Sequence, residues 1–337
     1  MSAQDTPAAA ARDQTGPTGA IAAARRNRDA LQQGDIRLLG DAGPHHVPGE
    51  LFCSPTYALD DPDTRLYMGD CRDVLAALPD RGTVDLVFAD PPFNWDVPYD
   101  GDWDDGMERA AYERFTFDWL DACIEALSPT GSLWVNIPDD SAAEVVLHLK
   151  RRGLVMVNWC VWHFRFGQCR NSSFIMSKVH ALYFCKDPDN RIWNPEAILE
   201  PSDRAAIYND ARTMAKDTQK GMRVPMDVWY GQYWGRIQGN NKERRPGHEN
   251  QIPEVYLERV ITACSSTGDL VLDPFCGSGT TSTVARAHGR RSITIEQSET
   301  ISASAWERIA DIGMVRKGAS AGKSSAIFGT RGTKGRA

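Results

Sequence analysis

Val84-Asp85-Leu86-Val87-Phe88-Ala89-Asp90-Pro91-Pro92-Phe93 is the stretch from which the rest of the chain can be read. Val84, Leu86, Val87, Phe88 and Ala89 make a short, nearly continuous apolar run rich in β-branched and aromatic residues. Such a run suits a strand buried on both faces, as in a parallel sheet. Pro91 and Pro92 stop it, because neither can donate a ladder hydrogen bond and each restricts the residue before it. A carboxylate, rigid carbonyls and an aromatic ring are thus expected at the carboxyl end of a strand, where open α/β sheets hold their ligands.

An exocyclic amino group on a planar base matches that set. It offers two N–H donors and a lone pair delocalised into the ring. Asp90 can accept one hydrogen bond and the Pro91 carbonyl the other, which biases the nitrogen towards a nucleophilic, pyramidal state. Phe93 can stack on a base taken out of its duplex, an interaction worth roughly 1–3 kcal/mol per base. Taken alone, the same residues also fit a turn that merely ends a strand.

A second stretch changes the balance. Asp269–Asp273 reads as a strand, Pro274-Phe275-Cys276-Gly277-Ser278-Gly279 as a tight turn, Thr280–His288 as a helix and Ser292–Glu296 as the next strand. Gly277 and Gly279 let the backbone turn sharply and bring a ligand against bare amides. The Gly-Lys-Ser/Thr ending of a phosphate loop is absent, and Ser282 stands where a dinucleotide fingerprint needs its third glycine. A Gly-x-Gly cradle of this kind fits a nucleoside without a pyrophosphate, and Glu296 can then hold the ribose hydroxyls.

With 337 residues, the chain can hold one large α/β domain with an insertion, or two domains. Hydrophobic residues at 42% and charged ones at 25% are ordinary for a soluble globular protein. No apolar run approaches the ~20 residues of a membrane helix, and no secretory signal is visible at the N-terminus. The 8 cysteines are scattered without a C-x-x-C pair, so neither a disulfide framework nor a metal site is expected, and a cytoplasmic location is. The net charge of −7 argues against a general nucleic-acid glue. Residues 58–121 carry 17 acidic and 5 basic side chains, which leaves the rest of the chain net positive.

Taken in order, residues 1–50 read as a disordered tail and 317–337 as another, both poor in aromatics. Arg65–Met68 suggests a strand, Gly69-Asp70-Cys71 a turn and Arg72–Leu78 a helix. The acidic, aromatic loop from Asn94 to Asp105 reads as solvated, with a lid or base-contacting loop as the alternative. Glu108–Leu127 reads as a helix with a core stripe of Phe115, Trp119, Cys123 and Leu127. Gly131–Ile137, Leu154–Phe166 and Val179–Cys185 are strand candidates, with a helix from Ser141 to Arg152. Residues 187–247 break the rhythm with Pro188, Pro195, Pro201, Pro225 and several tryptophans, and suit an insertion that meets a partner. Arg236, Lys242, Arg244 and Arg245 are its candidates for phosphate contacts, with a solvated basic loop as the alternative. Ile252-Pro253-Glu254 opens a helix that runs to Gly268.

Asp90-Pro-Pro-Phe93 early, paired with Asp273-Pro-Phe-Cys-Gly-Ser-Gly-Thr-Thr281 late, resembles the β-class DNA amino-methyltransferases, with similarity over residues 64–312. The resemblance implies a seven-stranded, Rossmann-like methyltransferase sheet, circularly permuted, with an inserted target-recognition region. Its parts would be a catalytic half at 51–186, the recognition insertion at 187–247 and a cofactor-binding half at 248–316. It implies S-adenosylmethionine as cofactor, lined by Asp70, Cys71, Asp273, Phe275, Gly277, Ser278, Gly279, Thr280 and Glu296. Gln251 would join them, although this chain has Gln251-Ile252-Pro253 where the family often has Gln-Lys-Pro. The target base would meet Asp90, Pro91, Pro92 and Phe93. The implied activity is methylation of adenine N6 in double-stranded DNA, since Asp at the first motif position leans towards adenine. Cytosine N4, an RNA or protein amine, or an inactive DNA-binding module are the alternatives. A homodimer and a cognate restriction endonuclease are implied partners.

Overall fold

The computed structural model describes residues 54–96, 103, 105–168, 172–215, 221–231, 234–237, 241–245 and 250–311. The two tails expected to be disordered lie outside those residues. In chain order the strands are β1 (Tyr57–Asp60), β2 (Asp63–Met68), β3 (Val84–Ala89), β4 (Leu127–Ile137), β5 (Val155–Gln168), β6 (Met176–Cys185), β7 (Glu200–Pro201), β8 (Met222–Arg223), β9 (Val228–Trp229), β10 (Leu270–Asp273) and β11 (Arg291–Glu296). The α-helices are α1 (Cys71–Ala77), α2 (Arg109–Ala126), α3 (Ala142–Arg151), α4 (Asp203–Ala206), α5 (Ala211–Met214), α6 (Glu254–Cys264), α7 (Thr280–Ala287) and α8 (Glu299–Ala310).

β3 lies inside a 9-stranded sheet of order β1-β2-β11-β10-β3-β4-β6-β5-β9. Its neighbours β10 and β4 both run parallel to it. Such a strand has no solvent face, and its sequence obeys that: Val84, Leu86, Val87, Phe88 and Ala89 are all buried. Their side chains divide between two cores. Val84, Val87 and Ala89 join the α1, α2 and α3 side, whereas Leu86 and Phe88 join the side built on α6 and α7.

The expected strands form, but the sheet has two more than the seven expected. β1 is added antiparallel at one edge and the two-residue β9 parallel at the other. Neither has an apolar run to announce it: β1 alternates between half-buried and exposed, and β9 is too short to show a period. β9 also shows that the irregular stretch at 187–247 is sewn to the sheet. Trp193, Trp229 and Trp234 sink into the core on the α6 side, and Asn194 bonds the carbonyls of Thr262, Ala263 and Ser265.

Several boundaries differ from the sequence reading. α2 begins after Glu108, whose carboxylate caps Ala110 and Ala111, and stops at Ala126 because Leu127 is already extended as the start of β4. α6 has Pro253 at its N-cap and ends at Cys264, four residues before Gly268. Gly279 is the N-cap of α7 with φ +73°, and a Cβ there would lie 3.1 Å from the Ala305 carbonyl oxygen and from Ile309 Cγ1 of α8. This glycine therefore serves the approach of two helices. Gly279→Ala is expected to destabilise the chain by about 1–3 kcal/mol in urea unfolding, against a negligible change for alanine at an exposed, negative-φ position.

Candidate active site

Because β2, β11, β10 and β3 are neighbours and all parallel, their carboxyl ends share one edge of the sheet. Each end delivers an acid: Asp70 after β2, Glu296 closing β11, Asp273 closing β10 and Asp90 after β3. All four line a single cavity of about 670 Å³, a size suited to a drug-sized ligand.

Backbone amides hold this row of carboxylates in place. Glu296 accepts from Gly277 N–H at 2.9 Å through Oε2 and from Ser298 N–H at 3.0 Å through Oε1. Asp273 Oδ1 accepts from Phe275 N–H at 2.9 Å. Asp70 caps α1 through Arg72 N–H at 2.8 Å and also takes the Arg72 guanidinium at 3.0 and 2.8 Å. Burial pushes three of the acids upward. Asp273 rises to about 8, against hydrogen bonds from Thr281 and Phe275, with the charges of Asp90 and Glu296 adding to the rise. Glu296 is raised chiefly by burial, and so is Asp90, which Arg236 and a hydrogen bond from Asn136 partly restrain. A cavity in which acids outnumber the basic side chains Lys178 and Arg236 is matched to a cationic ligand that also carries hydroxyl donors.

The opposite wall is aromatic. Phe93 meets Trp95 edge to face at 5.2 Å. Arg236 lays its guanidinium 5.9 Å from the Phe93 ring, 5.1 Å from Trp162 and 5.7 Å from Phe164, and donates to the Asn250 carbonyl at 3.0 Å. Tyr112 O–H donates to the Pro92 carbonyl at 2.9 Å, fixing the turn after β3. Phe275, which lines the cavity, is held between Phe115 and Trp119 of α2, at 6.2 and 5.1 Å.

Of the residues expected at the site, the cavity brings together Asp70, Cys71, Asp90, Pro91, Pro92, Phe93, Arg236, Asp273, Phe275, Gly277, Ser278, Thr280 and Glu296. It does not bring in Gly279 or Gln251. Both ends of the fully buried Gln251 amide are used elsewhere, Oε1 by Arg245 N–H at 3.0 Å and Nε2 by the Glu243 carbonyl at 2.6 Å, and Ile252 takes the place on the wall. Lys242, Arg244 and Arg245 sit on the turn that Gln251 braces, outside the cavity, with Lys242 and Arg244 exposed.

The loop after Phe93 departs from its solvated reading. Asp105 is buried and accepts from Asn94 N–H at 3.0 Å and Trp95 N–H at 2.9 Å, so Trp95, Trp103 and Asp105 become part of the cavity wall. Sequence reasoning also passed over Asn136, which donates to Asp90 Oδ1 at 3.0 Å. Its signal was a lone amide within the apolar run Leu133-Trp134-Val135-Asn136-Ile137. Among the described residues no cluster of His, Cys, Asp or Glu could hold a metal ion, and no helix is long and apolar enough to cross a membrane.

Residues 84–307, which span both strand tips, match the family model for DNA methylases of the N6/N4 type. The chain belongs to that family. It is 34% identical over 236 residues to the type II methyltransferase M.BamHI of Bacillus amyloliquefaciens, covering 69% of this chain and 54% of that protein. M.ScaI of Streptomyces caespitosus is 29% identical over 69% of this chain and 77% of its own length, and M.HpaI of Haemophilus parainfluenzae 29% over 73% and 74%. The chain thus spans about half of M.BamHI and about three quarters of the other two. In fold it is similar to the cytosine-N4-specific PvuII DNA methyltransferase, at TM-score 0.56 and 17% identity over 78% of this chain and 95% of that one. It is also similar to M1.HpyAVI, solved with SAM, at 0.50 and 17% over 72% and 98%.

The raised Asp273 has a consequence for stability. The folded chain keeps a proton that the unfolded chain releases near pH 4, so stability is lost as the pH climbs from there towards about 8. Asp273→Asn removes this contribution. Urea unfolding from pH 5 to 8 is expected to show a shallower decline for the variant, still sloping because Asp90 and Glu296 have the same sign. Parallel curves would contradict the assignment.

Proposed function

We propose that the chain is a site-specific DNA methyltransferase acting on the N6 amino group of adenine in a base turned out of the duplex. The observation that carries this reading is the single cavity joining the Glu296 and Asp273 strand tips to Asp90-Pro91-Pro92-Phe93. The buried row of carboxylates suits S-adenosylmethionine, whose sulfonium and ammonium groups are cations and whose ribose carries hydroxyls. Glu296 is placed to take the hydroxyls, while Asp70, Asp273 and the Gly277 turn hold the rest and Phe275 covers it. When bound, that cofactor supplies a methyl group on a sulfonium centre and departs as a neutral thioether.

Asp90 then works on the amine. Accepting a hydrogen bond from it draws electron density to the nitrogen, and the positive charge the nitrogen gains with the methyl group falls beside a carboxylate. The surplus proton leaves the nitrogen through the same contact. The aromatic wall at Phe93 and Trp95, opposite the row of acids, holds amine and methyl carbon in line, where orientation contributes most. No covalent intermediate is needed, in keeping with the buried, raised thiols of Cys71 and Cys276. Arg236, Lys242, Arg244 and Arg245 are assigned to DNA phosphates, with the Arg236 charge already turned to the target side. The type II names of its relatives support a restriction endonuclease as companion.

Asp90→Ala is expected to lower methyl transfer by at least about 100-fold while calorimetric binding of S-adenosylmethionine survives. Undiminished transfer would refute the site. Mass spectrometry of nucleosides from DNA methylated by the chain is expected to show N6-methyladenine, and N4-methylcytosine would overturn the choice of base.

A further inference from the structure

We infer that Asn136 and Tyr256 are positioning residues that orient Asp90 and present it as an ionised acceptor. This deepens the reading of Asp90 above and rests on it. Asn136 is the penultimate residue of β4, one step beyond the register pair Ala89↔Val135, so its side chain stands beside Asp90 across the ladder. Its Nδ2 donates to Asp90 Oδ1 at 3.0 Å, and its Oδ1 accepts from the Tyr256 hydroxyl at 2.6 Å. Asn136 and Tyr256 are both fully buried. Tyr256 cannot easily swing away, because Phe88, Trp162 and Trp229 meet its ring at 5.7, 5.1 and 5.2 Å.

The chemistry of the amide makes this arrangement directional. An asparagine side chain has an acceptor end and a donor end. With the phenol donating to Oδ1, the NH₂ end must face Asp90, where it stabilises the carboxylate and opposes the effect of burial. In the reversed orientation the amide oxygen would point at the carboxylate, and only a protonated Asp90 could tolerate it. The phenol oxygen could accept from a reversed amide, but its own buried O–H would then lose the acceptor it has in Asn136 Oδ1, so the orientation that satisfies the tyrosine is also the one that favours the charged acid. It also commits Asp90 Oδ1 to Asn136 and leaves Oδ2 to the incoming amine. The other charged or titratable groups facing Asp90 are Arg236, which holds the acid down, and Asp273, whose own rise is partly due to Asp90.

Two measurements on the full chain test this, with Tyr256→Phe, Asn136→Leu and Asn136→Asp. The first is carboxyl NMR titration without cofactor or DNA, with Asp90→Asn assigning the resonance. Asp90 is expected to titrate about one unit higher in Tyr256→Phe and in Asn136→Leu, and higher still beside the second carboxyl of Asn136→Asp. The second is the pH dependence of kcat for DNA methylation. Its acid limb should move to higher pH in the same order, with kcat at pH 7 down about 10- to 100-fold and the KM for S-adenosylmethionine unchanged. Tyr256→Phe keeps the ring, so a loss of folding would not mask the result. Coincident titrations and superimposable pH profiles would overturn the inference. A shifted titration in a chain that does not methylate DNA would leave the arrangement standing and sink the proposed reaction instead.

Discussion

Val271 opposite Leu86 and Leu272 opposite Val87 are the backbone pairings on which the site depends. They join strands almost 200 residues apart in the chain and make them parallel, so that Asp273 and Asp90 emerge at the same edge. An antiparallel pairing of the same residues would put the two acids on opposite sides of the molecule. A parallel ladder also requires both faces of β3 and β10 to be covered. The α1, α2 and α3 layer and the α6 and α7 layer meet that requirement, and the cavity opens where the covered strands run out.

Collecting four acids at that edge is costly for the fold and useful for the chemistry. Burial raises Asp273, Glu296 and Asp90, and the charges of the other two add to the rise of Asp273, which means the empty site is held against an electrostatic penalty. Amides from Phe275, Gly277 and Ser298, the Arg72 guanidinium and the Asn136 amide offset part of it. A cationic ligand relieves more. Strain of this kind, tolerated in the free protein and released by its ligand, is a common mark of a binding site.

The α/β layering and both motif-bearing turns were legible in the sequence, because a buried parallel strand writes itself as an apolar run and prolines or glycines mark its end. What stayed hidden is non-local. Tyr256 reads as one more apolar position on the face of α6, and its hydroxyl has meaning only because β4 carries Asn136 next to β3. Asp105 looks like a solvated loop acid until its partners, the amides of Asn94 and Trp95, are known. Arg236 was expected among phosphate ligands from its charge alone; that the rings of Trp162 and Phe164 on β5 and of Phe93 after β3 also gather around it at the cavity wall is not visible in the sequence. Gly279 and Gln251 are the reverse case: the residue types were noticed in the sequence, and the structure adds what it does not show, a helix–helix contact at one and the bracing of the 241–245 turn at the other.

A crystal structure of the chain with an unreactive amine analogue of S-adenosylmethionine tests the convergence most directly. The account expects the analogue inside the cavity, its ribose at Glu296 and the group replacing the methylsulfonium turned towards Asp90, leaving room for an amine at about 3–3.5 Å. An analogue seated elsewhere, or lying in the cavity with that group directed away from Asp90, would contradict it.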